Sequence, residues 1–134
     1  EASGIGIACL TSQYFNVPVV FANFFFKVNI YADIYTSKVS SFTHKKDYDI
    51  YVSKQFINKD DNILIIDDFL AKGSALSALI NLINHAGAKT VGAGIVIEKA
   101  FQEGGKIIRD MGVRVESLAR IQEMTEDGGI VFTD

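Results

Sequence analysis

The sequence predicts an α/β fold with an open, mostly parallel sheet and helices on both faces. Residues 63–66 form an uninterrupted apolar run, which is typical of a central parallel strand covered on both sides. Apolar residues with helical spacing follow it: Leu76, Leu79, Ile80 and Ile83. Residues 91–97 then form a second apolar run. The order strand, helix, strand predicts a right-handed βαβ unit.

Composition narrows the class of protein. A chain of 134 residues has the size of one domain. Thirteen basic against sixteen acidic residues give a net charge of −3, which does not favour a nucleic-acid partner. The single cysteine, Cys9, excludes an internal disulfide. No apolar run approaches the ~18 residues of a membrane span, and no secretion signal is present, so we expect no membrane partner and a cytoplasmic location.

The first elements are a helix and a strand. Ser3 is suited to cap a helix that extends to about Phe15, and Asn16 tolerates the left-handed conformation that ends it. Residues 17–22 are apolar and predict a buried strand. The chain begins without Met in a glycine-rich segment that enters a helix. We therefore expect residues 1–134 to be a single domain that lacks its N-terminal part.

The middle of the chain predicts a hairpin, and the last part continues the alternation of strands and helices. Residues 31–42 and 48–52 have strand composition, with a polar, basic loop between them. Gly87 is placed to end the helix of the βαβ unit. Residues 104–111 predict another helix, ended by Gly112, and residues 113–118 another strand.

Ligands of such sheets bind beyond the carboxyl ends of the strands, which directs attention to residues 1–4, 67–75 and 98–101. The adjacent carboxylates Asp67 and Asp68 can accept hydrogen bonds from a vicinal diol such as a ribose. The small-residue loop after them leads into a helix, whose N–H groups suit a phosphate, and Gly73 permits close approach. The alternative is that both acids are solvated residues ending a strand and that Ser74 is only a helix cap.

The segment at residues 64–75 resembles the phosphoribosyl-pyrophosphate motif of the type I phosphoribosyltransferases. Residues 96–106 and 114–118 extend the match and are most similar to the branch of the family that acts on xanthine. Residues 1–5 resemble the pyrophosphate loop of the family. The resemblance covers nearly the whole chain, with the motifs in the expected order and spacing.

The resemblance implies a role for each matching residue. Asp67 and Asp68 would be the catalytic pair, which holds the ribose hydroxyls, and Asp68 could also act as a base toward the purine. Lys99 would bind the purine; the alternative is a lysine that only extends its amine to water. The remaining residues would bind the two phosphate groups of the substrate. Ala71, Lys72, Gly73, Ser74 and Ala75 would bind the 5-phosphate, and Ala2, Ser3 and Gly4 the pyrophosphate.

Many relatives carry Thr-Gly-Gly-Thr where this chain has residues 72–75, so backbone donors would do most of the phosphate binding here. Phe101 could stack on the base or lie in the core. Residues 39–46 correspond to the family's flexible loop, in which Lys45 and Lys46 either hold phosphates or are simply solvated.

The implied reaction transfers phosphoribose from phosphoribosyl pyrophosphate to xanthine, giving xanthosine 5'-monophosphate and pyrophosphate. Mg²⁺ would arrive with the substrate, without a permanent metal site. The family also implies a homodimer. The alternatives are a regulator of the same fold that senses phosphoribosyl pyrophosphate without catalysis, and a transferase for another purine base.

The main departure from the family lies at residues 24–26, where three phenylalanines replace a basic run. They indicate either a buried interface patch or weakened pyrophosphate binding, for which Lys27 could substitute charge. Three consecutive aromatic residues of a strand cannot all face inward.

Overall fold

The computed structural model describes residues 3–25, 33–41 and 46–134. Its elements are, in chain order, α1 Ser3–Phe15, β1 Asn23–Phe25, β2 Ile34–Ser41, β3 Lys46–Ser53, a 3₁₀ turn at Lys54–Phe56, β4 Asn62–Leu70, α2 Ser74–His85, β5 Lys89–Lys99, α3 Gly104–Asp110, β6 Val115–Met124 and β7 Ile130–Thr133.

The larger sheet has the order β4-β5-β6-β7. Strands β4, β5 and β6 are parallel, and β7 is antiparallel to β6. The predicted mostly parallel sheet is thereby confirmed, and so is the βαβ unit formed by β4, α2 and β5. Strand β7 and the extension of β6 to Met124 were not predicted.

A second, antiparallel sheet has the order β1-β3-β2. Strands β2 and β3 form the predicted hairpin, with Ile34 opposite Ser53 and Ser41 opposite Lys46. Residues 42–45 lie outside the described part, so the predicted loop at 39–46 is described only at its ends, and these ends are strand. Helix α2 lies between the sheets, since it contacts β2 and β3 of one and β4 and β5 of the other.

The core forms around α2. Leu76, Ile80 and Ile83 are buried on this helix and belong to the same apolar cluster as Ile65 of β4 and Ile95 of β5. This arrangement confirms the helical spacing from which α2 was predicted. It also fixes the position of the first turn of α2 beside the carboxyl end of β4.

The carboxyl ends of the helices follow the predicted chemistry, whereas Ser3, predicted to cap α1, is already a residue of this helix. Asn16 has a φ of 53° directly after α1, and the predicted endings at Gly87 and Gly112 have φ of 72° and 81°. These conformations favour glycine and, among the other residues, asparagine.

The predicted strand at residues 17–22 is wrong. The strand in this region is β1, which begins only at Asn23, and Val17, Val20 and Phe21 are each more than a third exposed. A strand needs a neighbour for its backbone groups, and no described strand pairs with residues 17–22. Pro18 moreover has no N–H to donate.

The predicted end of β4 is also wrong. Asp67 and Asp68 lie inside the strand, which continues to Leu70. The ladder continues because β5 extends alongside, with Asp67 opposite Ile95 and Leu70 opposite Glu98. The two acids are half-buried, so the interpretation of Asp67 and Asp68 as solvated residues that end a strand is wrong.

Candidate functional site at the carboxyl ends of β4 and β5

Asp67 lies against the first turn of α1. A Cβ atom added to Gly4 would lie 3.2 Å from Asp67 Oδ1 and 3.6 Å from its Cα. Gly4 is buried, and a side chain here would require the Asp67 carboxylate to shift by a few tenths of an ångström. The structure thus brings the described part of the predicted pyrophosphate segment, Ser3 and Gly4, next to the predicted catalytic pair.

The Asp67 carboxyl group is partly buried and hydrogen-bonded. The Asp68 backbone N–H donates a hydrogen bond of 2.9 Å to Asp67 Oδ1. Burial raises the pKa of Asp67 from its ordinary 3.8 to about 6, although this hydrogen bond opposes the rise. Asp67 is therefore mostly ionised at neutral pH and can accept hydrogen bonds from a hydroxyl group.

The loop from Ala71 to Ala75 turns the chain from β4 into α2. Gly73 occupies the cap position with a φ of 80°, a left-handed conformation that favours glycine. No side chain caps the helix there, and Ser74 is already its first residue, so the interpretation of Ser74 as a cap is wrong. Backbone N–H groups of the first helical turn are left for other acceptors, which is the arrangement that suits a phosphate.

Helix α3 supports this loop through its first residue. The Gly104 N–H donates to the carbonyl oxygen of Ala71 at 3.1 Å. A Cβ at Gly104 would overlap that oxygen and would lie 2.6 Å from the Gly73 nitrogen. The loop and the start of α3 are therefore in direct backbone contact.

Lys99 is the last residue of β5. Its Nζ lies 5.2 Å from the ring centroid of Phe69, within the range of a cation–π interaction. Phe69 belongs to the same stretch of β4 as the two acids, so Lys99 lies on the strand adjacent to the predicted catalytic pair. Phe101 is about half exposed, so the interpretation of Phe101 as a core residue is wrong.

A buried ionic cluster beside Lys99 was not predicted from the sequence. Glu98 is 1% exposed and accepts hydrogen bonds of 2.8 and 2.9 Å from the Arg109 guanidinium, and one of 2.7 Å from the Ser117 hydroxyl. Arg120 Nε lies 3.4 Å from Glu98 Oε2. The hydrogen bonds from Arg109, with that from Ser117, lower the pKa of Glu98 to about 2 against the opposing effect of burial. In the sequence, the only indication of this cluster is that Glu98 lies at the end of a predicted strand.

The other predicted residues vary in their placement. Ala71 and Ser74 are half-buried, whereas Lys72 and Ala75 are exposed. Lys46 belongs to β3. Ala2, Lys45, Phe26 and Lys27 lie outside the described residues. Phe24 is half exposed, and its ring meets Tyr48 edge-on with centroids 5.9 Å apart.

Two features are absent from the described residues. No group of three or more His, Cys, Asp or Glu side chains in this part of the chain is placed to ligate a metal. Over the same residues, no helix combines the length and apolar character needed to cross a membrane.

Comparison with known proteins agrees with this geometry. The phosphoribosyl transferase domain family matches residues 1–121. The chain is 58% identical over 133 residues to a xanthine phosphoribosyltransferase of Lachnoclostridium phytofermentans, with 98% of this chain and 69% of that protein covered. It is 56% identical over 133 residues to xanthine phosphoribosyltransferase 1 of Clostridium perfringens, covering 98% of this chain and 70% of that protein.

Among solved structures, an adenine phosphoribosyltransferase of Rhodothermus marinus has the same fold, with a TM-score of 0.78 at 22% identity. The alignment covers 90% of this chain and 65% of that one.

Proposed function

The chain belongs to the phosphoribosyltransferase family, and from this premise we propose that it transfers the phosphoribosyl group of phosphoribosyl pyrophosphate to xanthine. The products are xanthosine 5'-monophosphate and pyrophosphate, a purine salvage reaction. The main structural support is that Asp67, the start of α1 and the loop at residues 71–75 lie together at one edge of the sheet.

In this proposal the ribose lies over Asp67 and Asp68. Carboxylate oxygens accept hydrogen bonds from the two ring hydroxyls and fix the sugar relative to the leaving group. Displacement at the anomeric carbon passes through an oxocarbenium-like transition state, which develops positive charge on the sugar. Asp68 is proposed as the base that can accept a proton from the purine.

The 5-phosphate is proposed to bind at residues 71–75. The uncapped first turn of α2 provides backbone N–H donors, and the helix dipole favours negative charge there. The positive φ of Gly73 turns the chain from the loop into α2, a conformation that glycine adopts without strain. Lys72 adds a positive charge on the exposed side of the loop.

Pyrophosphate is proposed to leave toward Ala2, Ser3 and Gly4. Donors at the start of α1 would stabilise the charge that develops on the departing group. The oxygen ligands of Asp67 and Asp68 fit Mg²⁺ as it binds in such sites, through one or two carboxylates and the substrate's phosphates. When bound, Mg²⁺ would neutralise charge on the leaving group.

Lys99 is proposed to select the base. A 6-oxopurine presents acceptors at O6 and N7, and an ammonium group can donate to both. The contact with Phe69 restrains the lysine amine near the strand end.

Three broader proposals accompany the activity. Residues 1–134 form part of a single phosphoribosyltransferase domain, the protein is a homodimer, and it acts in the cytoplasm. The family membership supports each of them.

The decisive assay mixes the purified protein with xanthine, phosphoribosyl pyrophosphate and Mg²⁺ and measures xanthosine 5'-monophosphate by chromatography. We expect product from xanthine, and a loss of about 100-fold in Asp67→Asn/Asp68→Asn because the sugar is no longer held. Binding of phosphoribosyl pyrophosphate without product from any base would support the regulator instead. Product from another purine but not from xanthine would show that the base assignment is wrong.

A further inference from the structure

A pair of glycines at the start of α3 contacts both substrate-binding segments from behind. Gly104 and Gly105 are both buried. They lie on an element that the proposed reaction does not otherwise use. Gly104 contacts the loop at residues 71–73 and Gly105 contacts Glu98, so the pair connects the two segments.

Gly104 fixes the phosphate loop. Its N–H donates to the Ala71 carbonyl, and an added Cβ would meet backbone atoms of residues 71–73, including Lys72 C at 2.7 Å. Backbone atoms cannot move aside as a flexible side-chain end can, so any larger residue at 104 must displace the loop. The closeness is mutual, because a Cβ at Gly73 would lie 3.0 Å from Gly104 Cα.

Gly105 fixes the end of the purine-binding strand. An added Cβ would overlap Glu98 Oε1 and lie 2.6 Å from Arg109 Nη1. The Glu98 carboxylate is enclosed by Arg109 and Ser117, and so has little room to yield. Glu98 is followed directly by Lys99, so displacing its side chain shifts the strand end that carries the lysine.

We propose that Gly104 and Gly105 are positioning residues of the transfer reaction, Gly104 for the phosphate loop at 71–73 and Gly105, through Glu98, for Lys99. This inference rests on the proposed function. It adds that the geometries for the two substrates are set by neighbouring residues of one helix start. Neither glycine touches substrate in this proposal.

Gly104→Ala and Gly105→Ala test the proposal by the substrate each affects. We expect Gly104→Ala to raise KM for phosphoribosyl pyrophosphate at least about tenfold with a smaller effect on KM for xanthine, and Gly105→Ala to show the reverse. Gly6→Ala is the matched control, since a Cβ at Gly6 meets nothing within 4 Å. Equal changes in both constants in each variant, or unchanged constants, would overturn the proposal.

A second substitution at Glu98 distinguishes a positioning role of Gly105 from a general loss of structure in Gly105→Ala. Glu98→Asp withdraws the carboxylate from the Cβ at position 105, so Gly105→Ala/Glu98→Asp should have a lower KM for xanthine than Gly105→Ala alone. Additive losses in the double variant would contradict the assigned contact.

Hydrogen exchange of the wild-type protein tests the same proposal without a variant, and so remains informative if a variant does not fold. Ribose 5-phosphate alone should slow exchange in residues 71–77 and also in residues 102–106, because the Gly104 amide is bonded to the loop. Slowed exchange in the loop without any change at residues 102–106 would show that Gly104 does not position the loop. Failure of the proposed function is a different result, namely no nucleotide product from the wild-type protein.

Discussion

At the residue scale, Asp67 shows how a partly buried carboxylate lowers stability. Its pKa of about 6 in the folded protein exceeds the ordinary value of 3.8, so the folded state binds more protons between these two values. Stability therefore rises as pH falls through about 6 toward 4, and the cost of the buried charge is fully present above about pH 7.

We predict that Asp67→Asn is more stable than the wild type by about 2 kcal/mol at pH 8, because it removes the buried charge. The difference should shrink below pH 6 and vanish near pH 4. Urea unfolding at several pH values measures both, and transferase activity should fall in the same variant. A constant difference across this range would show that burial of the charge is not its cause.

Lys99 yields a prediction about selectivity. Lys99→Ala should raise KM for xanthine at least about tenfold, because a charged donor to the purine acceptors is lost. Binding of phosphoribosyl pyrophosphate, measured by calorimetry, should change less than about twofold.

Lys89→Ala is the control for Lys99→Ala. Lys89 is an exposed lysine at the opposite end of the same strand, β5. Unchanged selectivity among purines in Lys99→Ala would contradict the assignment.

At the residue scale, a candidate site could be predicted where short motifs show its chemistry, but not where it depends on contacts between distant residues. Asp67 and Gly73 could be singled out because adjacent acids and a glycine loop follow an apolar run. Glu98 could not, because its role depends on Arg109 and Ser117, which the fold brings to it from α3 and β6. Likewise, nothing local indicates that Gly104 contacts residues 71–73.

At the scale of elements, the Glu98 cluster joins β5, α3 and β6. Glu98→Gln removes the carboxylate charge and leaves Arg109 and Arg120 facing a neutral group. We predict a loss of about 3 kcal/mol in the free energy of unfolding, as for other broken buried ion pairs. Thermal or urea unfolding of the variant measures the loss.

Glu116→Gln is the matched control for Glu98→Gln. Glu116 pairs with Arg114 at 2.7 Å, but both side chains are exposed, so less than about 1 kcal/mol is expected. Because the pKa of Glu98 is about 2, its stabilising effect should persist at pH 5 and be lost only as pH falls toward 2. Equal losses in the two variants would contradict the importance of burial.

Strands and helices could be predicted when the spacing of their apolar residues matched the faces that they bury in the core. Helix α2 and strands β4 and β5 are surrounded by the core, so periodicity and apolar runs identified them. The ends of β4 depended on how far β5 extends alongside, which no local pattern contains. Residues 17–22 have the composition of a strand but no described neighbour, and the division into two sheets follows from pairing rather than from composition.

At the scale of the whole molecule, α1 and the segment that follows it expose several large apolar residues. The large apolar residues there with more than half of their surface exposed are Leu10, Tyr14, Phe15 and Val17. Phe24 in β1 is also half exposed, although one edge meets Tyr48. Exposed apolar residues grouped in one element in this way are typical of interfaces between subunits, which are enriched in aromatic residues.

We therefore expect sedimentation equilibrium to give a dimer at micromolar concentration, with this surface in the interface. Tyr14 is 86% exposed, so Tyr14→Glu should leave the fold intact and weaken dimerisation at least about tenfold, because a charge would be buried without a partner. Phe56→Glu is the control, since Phe56 is 57% exposed in the 3₁₀ turn and lies outside this surface. A monomeric wild type, or equal weakening by both variants, would place the subunit contact elsewhere.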